Sequence, residues 1–226
     1  MHQSVMEVFP SFSERLEGRC LWPYLDTRGF VTTGVGILCN TVATFCAIPW
    51  RIDGALADRE MVVAFFNDLR AQTRLAQLGA RAAASVTKLR ITDADCDALT
   101  LARMRGNEAL LEAQFLDWAR LPADCQCAIH SLSWARGAAH FDRDYPKFFR
   151  AVNARDWSTA WTECLLDDSN NAGLTRRNEQ NRVCLRNAQV VDSDVNHAGR
   201  ARGTHALRID TLYWPLELQM TPENNS

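Results

Sequence analysis

Two carboxylates and a hydroxyl lie near the start of the chain at a spacing suited to acid–base chemistry. Eight residues separate Glu17 from Asp26, and five more separate Asp26 from Thr32. Cleavage of a glycosidic bond uses two carboxyl groups, one of which protonates the leaving oxygen while the other acts on the opposite side of the sugar. Taken singly, Glu17 reads as an exposed acid and Asp26 as a turn former. Together with Thr32 they predict a catalytic site, with Glu14 as a rival acid.

The segment before Glu17 has the apolar recurrence of a helix. Pro10 interrupts this pattern, so we expect a break there, with Ser11 or Ser13 capping a short helix that follows. Gly18 suits the helix end, where the backbone turns left-handed. The apolar positions are Val5, Val8, Phe9, Phe12 and Leu16.

The segment after Gly18 predicts a β-hairpin. Two β-prone runs, 22–24 and 30–33, flank the turn sequence Asp-Thr-Arg-Gly at 26–29. Asp26 should therefore lie at the bend while Glu17 ends the preceding helix. Both carboxylates are then expected to face the same space.

This run resembles the active-site segment of phage-type lysozymes, glycoside hydrolase family 24. The shared features are Glu-Gly at its start, a tyrosine two residues before the aspartate, Asp-Thr-x-Gly at the turn, and Thr-x-Gly-x-Gly after it. Shorter stretches at 91–99, 121–137, 148–157 and 173–179 are similar to segments of the family's helical lobe. The resemblance spans roughly residues 11–188.

The resemblance implies an α+β, predominantly helical, lysozyme-like fold with a small β-hairpin lobe and a helical lobe. One catalytic domain would cover 1–226, with a hairpin-bearing lobe and its helical insertion at about 11–90. The helical lobe would cover about 91–190, followed by a C-terminal extension at 191–226. Local patterns predict a helix from 57 to about 78 and another whose start is capped by Thr92 and Asp95.

The activity implied is that of a muramidase, which cuts the β-1,4 bond between N-acetylmuramic acid and N-acetylglucosamine in peptidoglycan. Glu17 would be the general acid and must carry a proton for that role. Asp26 would orient a water on the opposite face of the sugar, and Thr32 would hold that water. The reaction is expected to invert the anomeric configuration.

Further site residues follow from the resemblance. Arg177 would lie beside the acid, with Arg176 as the substitute if the register is shifted and a solvated surface position as the alternative. We expect Trp22, Tyr24 and Trp134 to bind substrate, although core packing is an equal alternative for Trp22 and Tyr24.

Two departures from the family pattern keep other functions open. Ile37 stands where the best-known phage enzyme has a histidine, and Ser131 and Ala135 stand where it has amides that line the cleft. The alternatives are a non-catalytic cell-wall-binding module on a lysozyme fold, or a related glycosidase that acts on chitin or chitosan.

Composition narrows the choice of partners. The formal net charge of −2 gives no electrostatic argument for nucleic acid, and no apolar run is long enough to span a membrane. Eight cysteines occur without a Cys-x-x-Cys pair, so we expect buried free thiols, with disulfides as the alternative and metal binding disfavoured. No cofactor is expected.

The N-terminus lacks the basic-then-apolar order of a signal peptide. We therefore expect the protein to be made in the cytoplasm and to act in the periplasm or on the cell wall after export or delivery. A phage endolysin and an antibacterial effector of a bacterial secretion system both fit. An effector would have a secretion-system carrier and an immunity protein as partners.

Overall fold

A computed structural model describes residues 1–169, 171–197 and 207–219. In these residues the fold is α+β and mostly helical, with small antiparallel sheets, which confirms the predicted fold class. The strands are β1 (Cys20–Leu25), β2 (Val31–Gly34), β3 (Ile37–Leu38), β4 (Arg51–Ile52) and β5 (Ala55–Leu56).

The helices of this described part are α1 (Gln3–Glu17), α2 (Val42–Cys46), α3 (Arg59–Ala71), α4 (Leu75–Leu78), α5 (Ala80–Val86), α6 (Asp93–Glu112), α7 (Ala123–Arg136), α8 (Phe141–Asp144), α9 (Pro146–Asn153), α10 (Trp157–Glu163) and α11 (Ala172–His197). A 3-10 turn covers Trp118–Arg120. None of these helices is long and apolar enough to cross a membrane.

The chain divides into two compact units. Ser13–Arg103 forms one, called here the hairpin unit, and Met1–Phe12 with Met104–Ser226 forms the other, called the helical unit. These bounds differ from the lobes at 11–90 and 91–190 that the sequence suggested.

Helix α1 continues through Pro10, so the prediction of a break at that residue is wrong. Val5, Phe9 and Phe12 are buried on both sides of the proline. Because a helix in a folded protein is stabilised mainly by packing of its apolar face, this burial outweighs the ~3 kcal/mol that an internal proline costs. The end of α1 is as predicted, since Gly18 has a φ of 74° and donates its N–H to the Glu14 carbonyl.

The hairpin unit is built on an antiparallel sheet in the order β1-β2-β3. Tyr24 pairs with Thr32 and Leu25 with Val31, but the ladder is irregular between Cys20 and Tyr24. Pro23 lies in the irregular stretch and has no N–H to contribute to the ladder. The sheet thus regains a regular register just before the hairpin bend.

Helices pack against this sheet and complete the core of the hairpin unit. The predicted helix at 57–78 is in fact two, α3 and α4, and α3 buries Val62, Phe66 and Leu69. The predicted cap of α6 is confirmed, because the Thr92 hydroxyl accepts from the Asp95 N–H while Asp95 Oδ2 accepts from the Thr92 N–H.

In the helical unit, α7 is buried along most of its length and α11 packs against it. Asp124 lies on α7 with no exposed surface, and its carboxylate accepts from the backbone N–H groups of Tyr213 and Trp214 at 2.8 and 3.0 Å. Asn187 on α11 donates to the same carboxylate at 2.9 Å. The segment 207–219 is thereby fastened to both helices.

His130 on α7 gives the helical unit a pH-dependent stability. Both ring nitrogens are buried and have no hydrogen-bond partner among the described residues, and burial lowers the pKa of His130 to about 3. Because the unfolded chain binds this proton from about pH 6.5 downward, the contribution of neutral His130 to stability is lost as the pH falls. Asp124 acts in the opposite direction, since burial raises its pKa to about 6 and the folded state protonates first.

We expect His130→Leu to remove the first of these two effects. The difference in unfolding free energy between variant and wild type should grow in favour of the variant by about 1.4 kcal/mol per pH unit as the pH falls from about 6 to about 4. Denaturant unfolding of both proteins at several pH values measures this difference, and Asp124 cancels because both carry it. A difference that does not change with pH contradicts the buried neutral histidine.

Candidate active site

Glu17 ends α1, and its carboxyl group lies against the turn between β2 and β3. A Cβ atom built on Gly36 would stand 3.1 Å from Glu17 Oε2 and 3.3 Å from its Cδ. Gly36 also has a φ of 68°, which glycine adopts without strain. The second glycine of the Thr-x-Gly-x-Gly segment thus has two roles. It permits the positive φ of the turn, and its lack of a side chain leaves room for the Glu17 carboxyl group.

Arg103 reinforces this turn from α6. Its Nη1 donates a hydrogen bond to the Gly36 carbonyl oxygen at 2.5 Å. Sequence reasoning missed Arg103, because 67 residues separate it from Gly36 and no local pattern marks the contact. The backbone on which Glu17 rests is therefore fixed by a side chain from a distant helix.

Asp26 lies at the hairpin bend as predicted and is held by its own turn. Its Oδ1 accepts from the backbone N–H groups of Arg28 and Phe30, each at 2.9 Å. The backbone pairs as well, since Asp26 N donates to the Phe30 carbonyl and Gly29 N donates to the Asp26 carbonyl. Among the described residues no hydrogen bond reaches Oδ2, so one carboxylate oxygen orients the side chain and the other is available.

Thr32 on β2 is 5 % exposed and stands directly opposite Tyr24 on β1. Its hydroxyl donates to the Phe30 carbonyl at 3.3 Å. A hydroxyl has one proton and two lone pairs, so Thr32 Oγ1 can still accept hydrogen bonds.

Tyr24 is the sheet neighbour of Thr32 and interacts electrostatically with Glu17 and Asp26. Residues directly opposite each other in an antiparallel pair project from the same face, with Cβ atoms about 4.5–5.5 Å apart. Burial raises the pKa of Tyr24, and the negative charges of neighbouring acidic groups, including Glu17 and Asp26, raise it further. One phenol therefore lies within electrostatic reach of both carboxylates and beside Thr32.

The side chain of Trp22 contacts other residues of the hairpin unit. Its Nε1 donates to the Ala80 carbonyl at 2.7 Å, and the Arg90 guanidinium lies 5.7 Å from the ring centroid. These contacts use the polar hydrogen of the indole and part of its surface. They support packing of β1 against α5, and a substrate-binding role for Trp22 stays a prediction.

The two remaining predicted residues belong to the helical unit. Arg177 is 3 % exposed, so it is not a solvated surface arginine, and its Nη1 donates to the Ser131 carbonyl at 2.9 Å. Arg176 is exposed, and the placement of Arg177 beside the acid stays a prediction. Trp134 is 4 % exposed and its ring lies 5.5 Å from that of Phe9, which leaves little surface for a sugar.

The carboxylate of Glu14, the rival acid, is paired with Arg19. Arg19 donates to Glu14 Oε2 from Nε at 3.1 Å and from Nη2 at 2.9 Å. The same guanidinium pairs with Asp93 and Asp97 in the first turns of α6. Glu14 is thus part of an ion-pair cluster that joins α1 to α6, whereas Glu17 rests on the glycine turn.

Cysteine and metal chemistry find no support in the described residues. The eight cysteines are free, and all but Cys46 are buried. Burial raises the pKa of Cys20 to about 11 and that of Cys39 to about 12, so these thiols are protonated and weakly reactive at neutral pH. No group of three or more potential metal ligands occurs in the part of the chain that the structure describes.

Comparison with known proteins gives no family assignment. Neither a protein-family model nor a curated protein matches the chain. An assignment of function therefore depends on the chemistry of Glu17, Asp26, Thr32 and Tyr24.

Proposed function

We propose that this protein is a peptidoglycan hydrolase, a muramidase that cleaves the β-1,4 bond between N-acetylmuramic acid and N-acetylglucosamine. The observation that carries the proposal is that the hairpin unit holds both acids: Glu17 lies against Gly36, Asp26 is held at the hairpin bend, and the charges of both act on Tyr24. Glycoside hydrolysis requires two carboxyl groups that flank the scissile bond, and Glu17 and Asp26 are proposed to be these groups.

The proposed reaction is a single displacement. Glu17 donates its proton to the glycosidic oxygen as the bond to the anomeric carbon breaks. A water on the opposite face attacks that carbon while Asp26 Oδ2 takes up one of its protons, and Thr32 Oγ1 accepts the hydrogen bond of the other. The product is a reducing sugar of inverted configuration, and exchange with solvent restores the protonated Glu17 and ionised Asp26.

The other site residues have supporting parts in this proposal. Arg177 would act as a cation that orients the acid, and its pairing with Glu17 stays a prediction. Trp22 and Trp134 stay predicted substrate contacts, and so does the ring of Tyr24, which the charges of both carboxylates reach.

The biological setting proposed is action on the cell wall after export or delivery from the cytoplasm. A phage endolysin and a bacterial antibacterial effector remain the two candidates. For an effector, a carrier and an immunity protein are the expected partners beside peptidoglycan itself, with no role proposed for nucleic acid, a membrane or a cofactor.

Incubation with three purified polymers tests the proposal against its alternatives. We expect the protein to lower the turbidity of peptidoglycan sacculi and to release little from chitin or chitosan. Release from chitin or chitosan alone would instead support the related glycosidase. Sedimentation with sacculi without any release of soluble fragments would support a wall-binding module and contradict catalysis.

Gly36→Ala is expected to lower the activity on sacculi at least tenfold. The new methyl group would crowd the Glu17 carboxyl group at 3.1 Å and place alanine at a positive φ, which costs on the order of 1 kcal/mol. Gly54→Ala is the matched control, because Gly54 has a φ of 85° and no heavy atom of the described residues lies within 4 Å of its Cβ position, chain neighbours aside. Equal activities in the two variants would show that the contact with Glu17 is unimportant.

A further inference from the structure

A water that attacks a sugar must be held so that one lone pair points at the anomeric carbon. Water has two protons to donate and two lone pairs with which to accept. If both protons are bound by acceptors and one lone pair is bound by a donor, only the second lone pair is left for the attack. Two acceptors and one donor therefore define a complete site for such a water.

The proposed mechanism supplies both acceptors but no donor. Asp26 Oδ2 can accept a hydrogen bond from the water, because the turn N–H groups of Arg28 and Phe30 donate to Oδ1 instead. Thr32 spends its only proton on the Phe30 carbonyl and can offer the water only a lone pair. A third group must donate to the water.

We propose that Tyr24 is this donor, a positioning residue whose phenolic hydroxyl holds the attacking water together with Asp26 and Thr32. Tyr24 stands directly opposite Thr32, on the same face of the sheet, and two residues before Asp26. Its hydroxyl makes no hydrogen bond to any residue that the structure describes, so its proton is available. The inference deepens the proposed function and rests on it.

The surroundings of Tyr24 keep that proton in place. Its ring is half-buried, and ionisation would place a negative charge in a partly desolvated site near the Asp26 carboxylate. The phenol is therefore neutral at any pH at which the enzyme would work, and it acts as a donor throughout. Neither a chemical step nor a proton transfer is assigned to it.

Tyr24→Phe tests the role, because it removes the hydroxyl and keeps the ring. We expect kcat on soluble, uncross-linked glycan strands to fall about tenfold, with KM unchanged within about twofold and an unchanged melting temperature. The fall corresponds to the loss of one neutral hydrogen bond. The matched control is Tyr145→Phe in the helical unit, because the buried Tyr145 hydroxyl also makes no hydrogen bond to a described residue; this variant should leave kcat at the wild-type value.

A double-mutant cycle with Thr32→Val tests whether both hydroxyls act on one water. If they do, the double variant should lose much less than the product of the two single losses, and Thr32→Ser should restore most of the activity lost in Thr32→Val. Multiplicative losses would overturn the shared water. A higher KM with unchanged kcat in Tyr24→Phe would make Tyr24 a sugar contact instead, which also overturns the inference.

The two proposals fail in different ways. A wild-type protein that releases nothing from sacculi overturns the proposed function and this inference with it. An active wild-type protein whose Tyr24→Phe variant matches Tyr145→Phe overturns the role of Tyr24 alone.

Discussion

Glu17→Gln is expected to abolish hydrolysis of the cell wall, with a fall in rate of about a thousandfold. The amide has the shape of the carboxyl group but cannot transfer a proton to the leaving oxygen, and general acid–base catalysis contributes about 10²–10⁴ in rate. Because glutamine can occupy the same space against Gly36, the fold should be retained. Loss of turbidity from purified sacculi measures the activity, and thermal melting monitored by circular dichroism measures the fold.

Glu14→Gln is the matched control for this experiment. It makes the same chemical change three residues earlier in α1, where the carboxylate pairs with Arg19 in a partly exposed cluster. We expect activity within about twofold of wild type and a loss of stability below about 1 kcal/mol. If Glu14→Gln were inactive and Glu17→Gln active, the acid would be Glu14 and the assigned register would be wrong.

Asp26→Asn is expected to lower the rate by about two to four orders of magnitude while the hairpin stays intact. The amide oxygen can still accept from the Arg28 and Phe30 N–H groups, as Oδ1 does now. The amide nitrogen that takes the place of Oδ2 cannot accept a proton from water, so the proposed base is lost.

Asp26→Ala separates the structural part of this residue from the chemical part. Alanine removes the base and also leaves the turn N–H groups without their acceptor, so we expect an additional loss of stability of about 1–2 kcal/mol. Equal melting temperatures with equal loss of activity would mean that the turn does not depend on Asp26. Near wild-type activity in Asp26→Asn would remove the base from the mechanism.

The local geometry of the site could be predicted because the contacts that form it are close in sequence. A left-handed glycine after Glu17, a hairpin around Asp26 and the pairing of the two β-prone runs depend on neighbours within about ten residues. Such contacts leave a mark in residue type, as Gly18 and Gly29 do with φ values of 74° and 80°.

Other features depend on packing between segments that are distant in sequence, and residue type alone does not predict such packing. A proline inside a helical pattern predicts a break. The burial of Phe9 and Phe12 on either side of Pro10 outweighs that preference, and burial cannot be seen in the local sequence. Arg103 reaches the Gly36 carbonyl from α6, and Trp134 is buried; neither placement has a local signature.

The segment 207–219 is a similar case. It contains no helix or strand, so no periodic pattern predicts its position. What holds it is Asp124, a buried carboxylate that accepts from Tyr213 and Trp214 and lies roughly 90 residues away. The sequence marks Asp124 only as an acid in the first turn of α7, and that position does not identify its partners.

The central claim is that Glu17 and Asp26 hydrolyse the bond between N-acetylmuramic acid and N-acetylglucosamine with water as the nucleophile. Mass spectrometry of the fragments released from purified sacculi, after reduction with borohydride, tests it most directly. We predict fragments that end in reduced N-acetylmuramic acid, because a water completes the reaction and leaves a reducing sugar. Fragments that end mainly in 1,6-anhydro-muramic acid, or in reduced N-acetylglucosamine, would contradict it.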